Sequence, residues 1–308
     1  MALAGTIALV TGASRGIGRG IALQLGQAGA TVYITGRRPA QQDELVKSMK
    51  TDSLEETASE ITKRGGKGVP VYCNHADPED IKNLFKKIEK ENNGKLDILV
   101  NNAFAAGTFI FKNTGKKFYE LDPDYSFDIV NNVGLKNHYI CSIYASRMMV
   151  PRKSGLIVTV SSTGGMGYLF NIAYGIGKAG CDRLVADMAV DLGGHKVVSV
   201  GLWPGAVRTE MVQDVILKSK YSTPTTKALF GKAESPEFSG KCIVELFKDK
   251  NLFNYTGRIL TTPDLAMRYS IHDDDGSQPN MFPEKIKNYL QMLNETRNWK
   301  NAKENAKL

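Results

Sequence analysis

The chain has 308 residues, of which 42% are hydrophobic, and it carries 40 Lys and Arg against 32 Asp and Glu for a net charge of +8. That is apolar enough for one sizeable core and too apolar for a disordered chain, while no run approaches the roughly 18 apolar residues of a membrane helix. The four cysteines (Cys73, Cys141, Cys181, Cys242) lack paired spacing, and the four histidines are scattered. A disulfide framework and a metal site are therefore not expected. The thiols read as reduced and mostly buried, as in an intracellular protein, and His75 and His138 as structural or surface residues. The chain enters its first apolar run directly, so no signal peptide is expected. The basic residues are dispersed and accompany no nucleic-acid motif, so the positive charge is assigned to attraction of an anionic cofactor or an acidic substrate, not to nucleic acid.

In chain order, residues 6–11 predict a buried strand (Ile7, Ala8, Leu9, Val10), and residues 16–28 a helix with Ile17, Ile21, Leu25 and Ala28 at helical spacing. Between them lies Thr11-Gly12-Ala13-Ser14-Arg15-Gly16-Ile17-Gly18. A strand over 31–36 leads into an extra loop over 38–52, then a helix over 53–64. Further strands are predicted over 69–73, 97–101, 155–161, 196–203 and 257–261, and helices near 78–92, 124–150, 173–192 and 235–248. This alternation predicts an α/β fold, a Rossmann-type doubly wound parallel sheet in one domain over 1–265. Residues 266–308 form a polar C-terminal extension in which Ile286, Tyr289, Leu290 and Leu293 share a helical face. That face either packs on the domain itself or forms a dimer contact.

The glycine-rich segment sits between strand and helix, the context a phosphate-binding turn needs. Gly12 permits a sharp turn, Gly16 and Gly18 leave room for a diphosphate, and the helix N-terminus offers N–H groups to it. A purely structural β–α turn is the plainer alternative. The second strand ends Thr35-Gly36-Arg37-Arg38, without the acid that usually holds an adenosine 2′-hydroxyl. Arg37 and Arg15 would attract a 2′-phosphate, so the predicted cofactor is NADP(H). The alternative is that Arg37 and Arg38 are solvated charges.

Tyr174 and Lys178 are four residues apart on a predicted helix and share one face. An ammonium held beside a phenol favours the phenolate, which equips a tyrosine for acid–base work at a carbonyl. The Ser161-Ser162 step lies a dozen residues earlier.

Taken together, the glycine turn, Asp97-Ile98-Leu99-Val100-Asn101-Asn102-Ala103, Ser161-Ser162, Tyr174-x-x-x-Lys178, and Pro204-Gly205 with Thr209 resemble the short-chain dehydrogenase/reductase family over about residues 4–265. Asn131-Asn132-Val133-Gly134-Leu135 and Tyr174-Gly175-Ile176-Gly177-Lys178 mark one branch of it. The resemblance implies that Ser162 bonds the substrate carbonyl, Tyr174 protonates its oxygen, and Lys178 holds the nicotinamide ribose. Ser161 is the alternative to Ser162. Gly12, Ser14, Arg15, Gly16, Ile17, Gly18, Arg37, Asn74, Asn101, Asn102, Ala103, Pro204, Gly205, Val207 and Thr209 would surround the cofactor, with Thr209 on the carboxamide. A homodimer or homotetramer is implied through the helices near 124–150 and 173–192.

Three positions depart from the family pattern. Phe104 replaces the glycine after Asn-Asn-Ala, Asn74 replaces an aspartate beside the adenine, and Gly134 falls where a fourth catalytic residue, an asparagine, is usual. Asn131 or Asn132 would substitute only if that helix begins irregularly. Met166, Tyr168, Leu169 and Phe170 in the loop 164–171, and the segment Met211–Phe230 where the family places a substrate lid, point to a lipophilic carbonyl compound: a steroid, quinone, retinal or fatty aldehyde. Core or dimer packing is their alternative role. Ala306-Lys307-Leu308 is similar to a peroxisomal address read by the import receptor. The expected function is an NADPH-dependent carbonyl reductase. The alternatives are a non-catalytic NADPH-binding scaffold and a reductase of carbon–carbon double bonds.

Overall fold

The apolar runs become a single parallel sheet of seven strands in the order β3-β2-β1-β4-β5-β6-β7. The strands are β1 Ile7–Val10, β2 Thr31–Gly36, β3 Lys67–Tyr72, β4 Ile98–Asn101, β5 Gly155–Val160, β6 Val197–Trp203 and β7 Ile259–Thr261. This computed structural model describes residues 1–49, 51–220 and 222–296; the predicted address at 306–308 lies outside them.

Helices cover both faces. They are α1 Gly16–Gln27, α2 Glu44–Ser48, α3 Leu54–Lys63, α4 Pro78–Glu91, α5 Gly107–Lys112, α6 Ser126–Asn131, α7 Asn137–Met149, α8 Ile172–Leu192, α9 Pro224–Gly231, α10 Phe238–Lys248, α11 Thr262–Tyr269 and α12 Glu284–Thr296. Among the described residues no helix is long and apolar enough to cross a membrane. Successive strand residues feed opposite cores, as a period of two demands. Ala8 and Val10 pack with Ile21, Leu25 and Phe238 on one face, whereas Leu9 packs with Ile81, Phe85 and Met149 on the other. The inner strands are therefore apolar at most positions and buried on both faces, with Thr35, Asn101, Thr159 and Ser199 as the buried polar exceptions, the pattern of a sheet covered on both sides.

Both sheet edges are protected. β3 carries Pro70, which an edge strand tolerates because its missing N–H would face outward. At the opposite edge α12 lies over β7, and the Asn294 side chain accepts from Ile259 N (2.9 Å) and donates to Ile259 O (3.2 Å). Leu290 is buried beside Trp203, Val185 and Ile259, with Ile286 and Tyr289 against the same cluster. The apolar face of the extension thus packs on its own domain.

Two elements depart from the sequence expectation. Residues 38–52 are not a plain loop, because Asp43 accepts from Val46 N and caps the short helix α2. The helix expected over 124–150 is broken. Val133 (φ −116°, ψ 89°) and Gly134 (φ 159°, ψ −22°) leave the helical region between α6 and α7. Two competing bonds hold the break open: Gly134 N donates to the Asn137 side chain (2.7 Å), and Ala105 N donates to Val133 O (3.2 Å).

Candidate active site

The strand order reverses between β1 and β4, and a cleft of about 620 Å³ opens beyond the carboxyl ends of the strands there. The turn after β1 forms its floor. Thr11 Oγ accepts from Asn102 N and Ala103 N (3.0 Å each), and Asn102 Nδ2 donates to the carbonyls of Thr11 and Gly12 (2.9 Å each). A Cβ on Gly12 would lie 2.7 Å from Ala103 Cα, and one on Gly18 would lie 2.3 Å from both Asn102 Nδ2 and Gly12 O. Only glycine lets these segments touch.

At the start of α1, Gly16 N donates to the Glu210 carboxylate at 2.9 Å. A carboxylate therefore stands where the turn offers its N–H to a phosphate, evidence that this pocket accepts an anion. Arg15 and Arg37 line the same cleft. Burial, and then the neighbouring Arg37, hold the Arg15 guanidinium below its ordinary pKa, against the opposing pull of Glu210 and Asp43. Arg37 approaches Asp43 at 3.9 Å. Burial by itself would raise the Asp43 carboxyl; bonds from Thr108 and Val46 N together with Arg37 and Arg15 hold it low. Two internal carboxylates, Asp43 and Glu210, thus sit against the groups suited to bind phosphates. A dinucleotide phosphate that took the Gly16 N–H would displace the Glu210 carboxylate, so Glu210→Gln should bind dinucleotide roughly threefold to tenfold more tightly. Equal affinity by fluorescence titration would show that this carboxylate does not compete.

The expected cofactor residues divide. Gly12, Ser14, Arg15, Gly16, Ile17, Gly18, Arg37, Asn74, Asn102, Ala103 and Thr209 line the cleft. Asn101 does not: it is fully buried, and its amide donates to Ser142 Oγ at 2.9 Å. It ends β4, so strand alternation turns its side chain away from the site. Pro204, Gly205 and Val207 do not line the cleft either. Gly205 N donates to Glu234 Oε1 (2.9 Å) and Thr262 Oγ (3.2 Å), and Val207 is buried in a bridge to Glu234.

Tyr174 and Lys178 meet beside the cleft, Ser162 belongs to the turn whose Gly164 packs on the Tyr174 ring, and none of the three lines the cleft. Asn171 caps α8 by accepting from Tyr174 N at 2.9 Å, which places the tyrosine in the first turn. Its ring is edge-on to Phe104 (centroids 5.9 Å apart) and to Phe170 (5.0 Å). The Lys178 ammonium donates to Val160 O at 3.0 Å and lies 5.8 Å from the Tyr174 ring centroid. Ser162 Oγ accepts from Gly164 N at 3.1 Å and is half-buried. Ser161 is buried and donates to Lys178 O at 3.2 Å, a structural bond that occupies its hydroxyl. Phe104 lines the cleft and also touches Tyr174, so it forms the partition between the two halves.

The broken helix sorts the asparagines. Asn131 ties α6 to α8 by donating to Phe127 O and Ala173 O, while Asn132 borders the cleft. His138 and His75 are buried and neutral, pushed down by burial to about 3 and about 4. His138 Nε2 bonds Ala103 O at 3.1 Å and so supports the cofactor turn from behind. Burial pushes the Cys181 thiol up to about 11, which leaves it no nucleophilic character at neutral pH. Among the described residues no cluster of three or more His, Cys, Asp or Glu is placed to hold a metal ion.

Comparison with known proteins agrees with this architecture. The short chain dehydrogenase family profile matches residues 6–220. The chain is 49% identical over 276 residues to dehydrogenase/reductase SDR family member 1 of Mus musculus, and 45% identical to the Homo sapiens protein of that name; each alignment spans 88% of this chain and 84% of the relative. In structure it is similar to a putative NAD(P) dependent gluconate 5-dehydrogenase from Beutenbergia cavernae with bound NADP (TM-score 0.69, 26% identity, 85% of this chain and 96% of that one). A seven-stranded parallel sheet, a glycine turn at its switch point, and these relationships in sequence and structure place the chain in the short-chain dehydrogenase/reductase family, as an oxidoreductase that uses a nicotinamide dinucleotide.

Proposed function

We propose that the chain is an NADP(H)-dependent reductase of lipophilic carbonyl compounds. The observation that carries the reading is the proximity of Tyr174 and Lys178, with Ser162 on the adjoining turn, beside a cleft that Arg15 and Arg37 line. When bound, the dinucleotide would supply or accept the hydride. The Ser162 hydroxyl donates to the substrate oxygen and orients it. The Tyr174 phenol transfers its proton to that oxygen as the alcohol forms. Lys178 keeps a positive charge beside the phenol and binds the nicotinamide ribose hydroxyls, while Thr209 meets the carboxamide. Arg15 and Arg37 hold the 2′-phosphate, and the similar putative NAD(P) dependent gluconate 5-dehydrogenase, which binds NADP at low occupancy, is compatible with that choice. Tyr168, Phe170 and the segment 211–230 form the lipophilic approach, and Tyr168 is 77% exposed. We read the exposed Tyr139 on α7 and Ile176 on α8 as part of a dimer or tetramer contact, and the terminal tripeptide as a receptor-read peroxisomal address.

A binding-only role is the second reading, favoured by the aromatic rings packed on Tyr174. One experiment separates the two. The protein is titrated with NADPH and NADH, then given lipophilic ketones, aldehydes and quinones while NADPH oxidation is followed. Turnover with any panel member supports the reductase; tight NADPH binding without turnover supports the scaffold. Arg37→Ala should weaken NADPH roughly 10- to 100-fold, as expected for loss of a charged hydrogen bond, and change NADH by less than about threefold. Equal losses for both cofactors would show that Arg37 does not read the 2′-phosphate.

A further inference from the structure

We infer that Phe104 and Gly134 form a reciprocal pair that rebuilds one wall of the active site, with Phe104 as a positioning residue for Lys178 and Tyr174. The inference rests on the reductase reading for the roles of those two residues. In the family pattern the first of these positions is small and the second carries an asparagine side chain; here the sizes are exchanged. The structure joins the two changes. A Cβ on Gly134 would lie 2.8 Å from Phe104 Cδ2 and 3.1 Å from Cε2. An aromatic ring at 104 and a side chain at 134 therefore exclude each other unless something moves.

The backbone is poorly placed to move. Gly134 is buried, its N–H donates to Asn137 Oδ1 (2.7 Å), and its carbonyl accepts from Cys181 Sγ (3.2 Å). One residue on each side, Ala105 N donates to Val133 O at 3.2 Å and stitches the segments together. His138 holds Ala103 O from behind. Relief would have to come from the ring, and the ring is engaged. It lies edge-on to Tyr174 with centroids 5.9 Å apart, and the Lys178 ammonium is 5.4 Å from its centroid. Lys178 is only 8% exposed, so the ring face replaces water next to a charge, where a cation–π contact is strongest. An asparagine at 134 would offer dipoles and water at this point; Phe104 offers a dry, electron-rich face.

The test is a double-variant cycle read by thermal melting, which needs no substrate. Gly134→Asn alone should lower the melting temperature by roughly 5 °C through overpacking. In the Phe104→Gly background the same change should cost clearly less, the remainder being the strain of a side chain at the Gly134 backbone conformation. If the cost is the same in both backgrounds, Gly134 is there only for its backbone conformation, and the pair does not exist. The positioning role is read separately by labelling of Lys178 with a water-soluble amine reagent. Phe104→Leu should raise the labelling rate severalfold, and Phe104→Tyr, which keeps the ring, should restore protection. With a panel substrate in hand, Phe104→Leu should lower kcat about tenfold and leave KM for NADPH nearly unchanged, and Phe104→Tyr should recover most of the loss. Indifference of both labelling and kcat to the loss of the ring would overturn the positioning role. Absence of turnover in the unaltered protein would instead count against the reductase reading and leave the melting and labelling results to judge the pair.

Discussion

Tyr174→Phe should reduce turnover about a thousandfold while NADPH still binds and the melting temperature hardly changes. General acid–base catalysis by a positioned side chain contributes typically about 10²- to 10⁴-fold, and the proposed mechanism assigns the proton to the Tyr174 phenol. The substitution removes only the oxygen. The ring keeps its edge-on contacts with Phe104 and Phe170, and the backbone N–H stays bonded to Asn171, so packing gives no reason for unfolding. Stopped-flow NADPH oxidation with the best panel substrate, paired with a binding titration, separates chemistry from affinity. Retention of more than about a tenth of the activity would assign the proton to another group.

Glu234→Gln should remove one component of the pH dependence of stability, the one that Glu234 contributes near neutrality. Glu234 is 3% exposed and supports the Pro204-Gly205 loop from behind. Its Oε1 accepts from Gly205 N (2.9 Å) and Thr262 Oγ (2.5 Å), and its backbone brackets the loop through Ala206 O (2.8 Å) and Arg208 N (2.9 Å). Burial, with a smaller push from Asp273, raises the carboxyl from 4.5 to about 7, against the bonds from Thr262 and Gly205. Because the folded value lies above the unfolded one, the neutral acid stabilises the fold fully below about pH 4.5, and that contribution is lost as pH rises through about 7. A shift of this size is worth on the order of 3 kcal/mol. Urea unfolding at pH 5 and pH 8 should therefore show Glu234→Gln gaining stability relative to the unaltered protein as pH rises, while the opposite dependence from the buried, neutral His75 and His138 is common to both proteins and cancels in the comparison. The second oxygen, Oε2, is buried without a hydrogen-bond partner, so the amide should be the less stable form at pH 5 and the two curves should cross. Parallel curves would mean that Glu234 is already charged in the folded protein.

Local patterns account for what the sequence made legible. The glycine turn, the strand–helix alternation and the Tyr174–Lys178 spacing are each contained within a short stretch, and backbone sterics and helical periodicity act over that range. Asn101 was misplaced although a signal existed: it and Asn102 are neighbours on a strand end, and alternation can send only one of them to the cleft. The break at 133–134 was less accessible, because it depends on a side chain at 137 and a loop N–H at 105 competing with the helical ladder. Asp43, Glu210 and Glu234 carried no pattern at all. Glu210 reaches a glycine 194 positions away in the chain, and Glu234 acts on a loop 29 positions earlier.

By itself the sequence determined the fold class, the cofactor turn and the Tyr174–Lys178 pair, because each follows from the conformational preferences of adjacent residues. The tertiary structure alone decided which carboxylates enter the cleft, that the Ser161 hydroxyl is spent on Lys178 O, and that Phe104 and Gly134 meet. Those outcomes depend on burial and on contacts between distant segments, and the same side chain is a solvated charge or a buried acid according to what the fold packs against it.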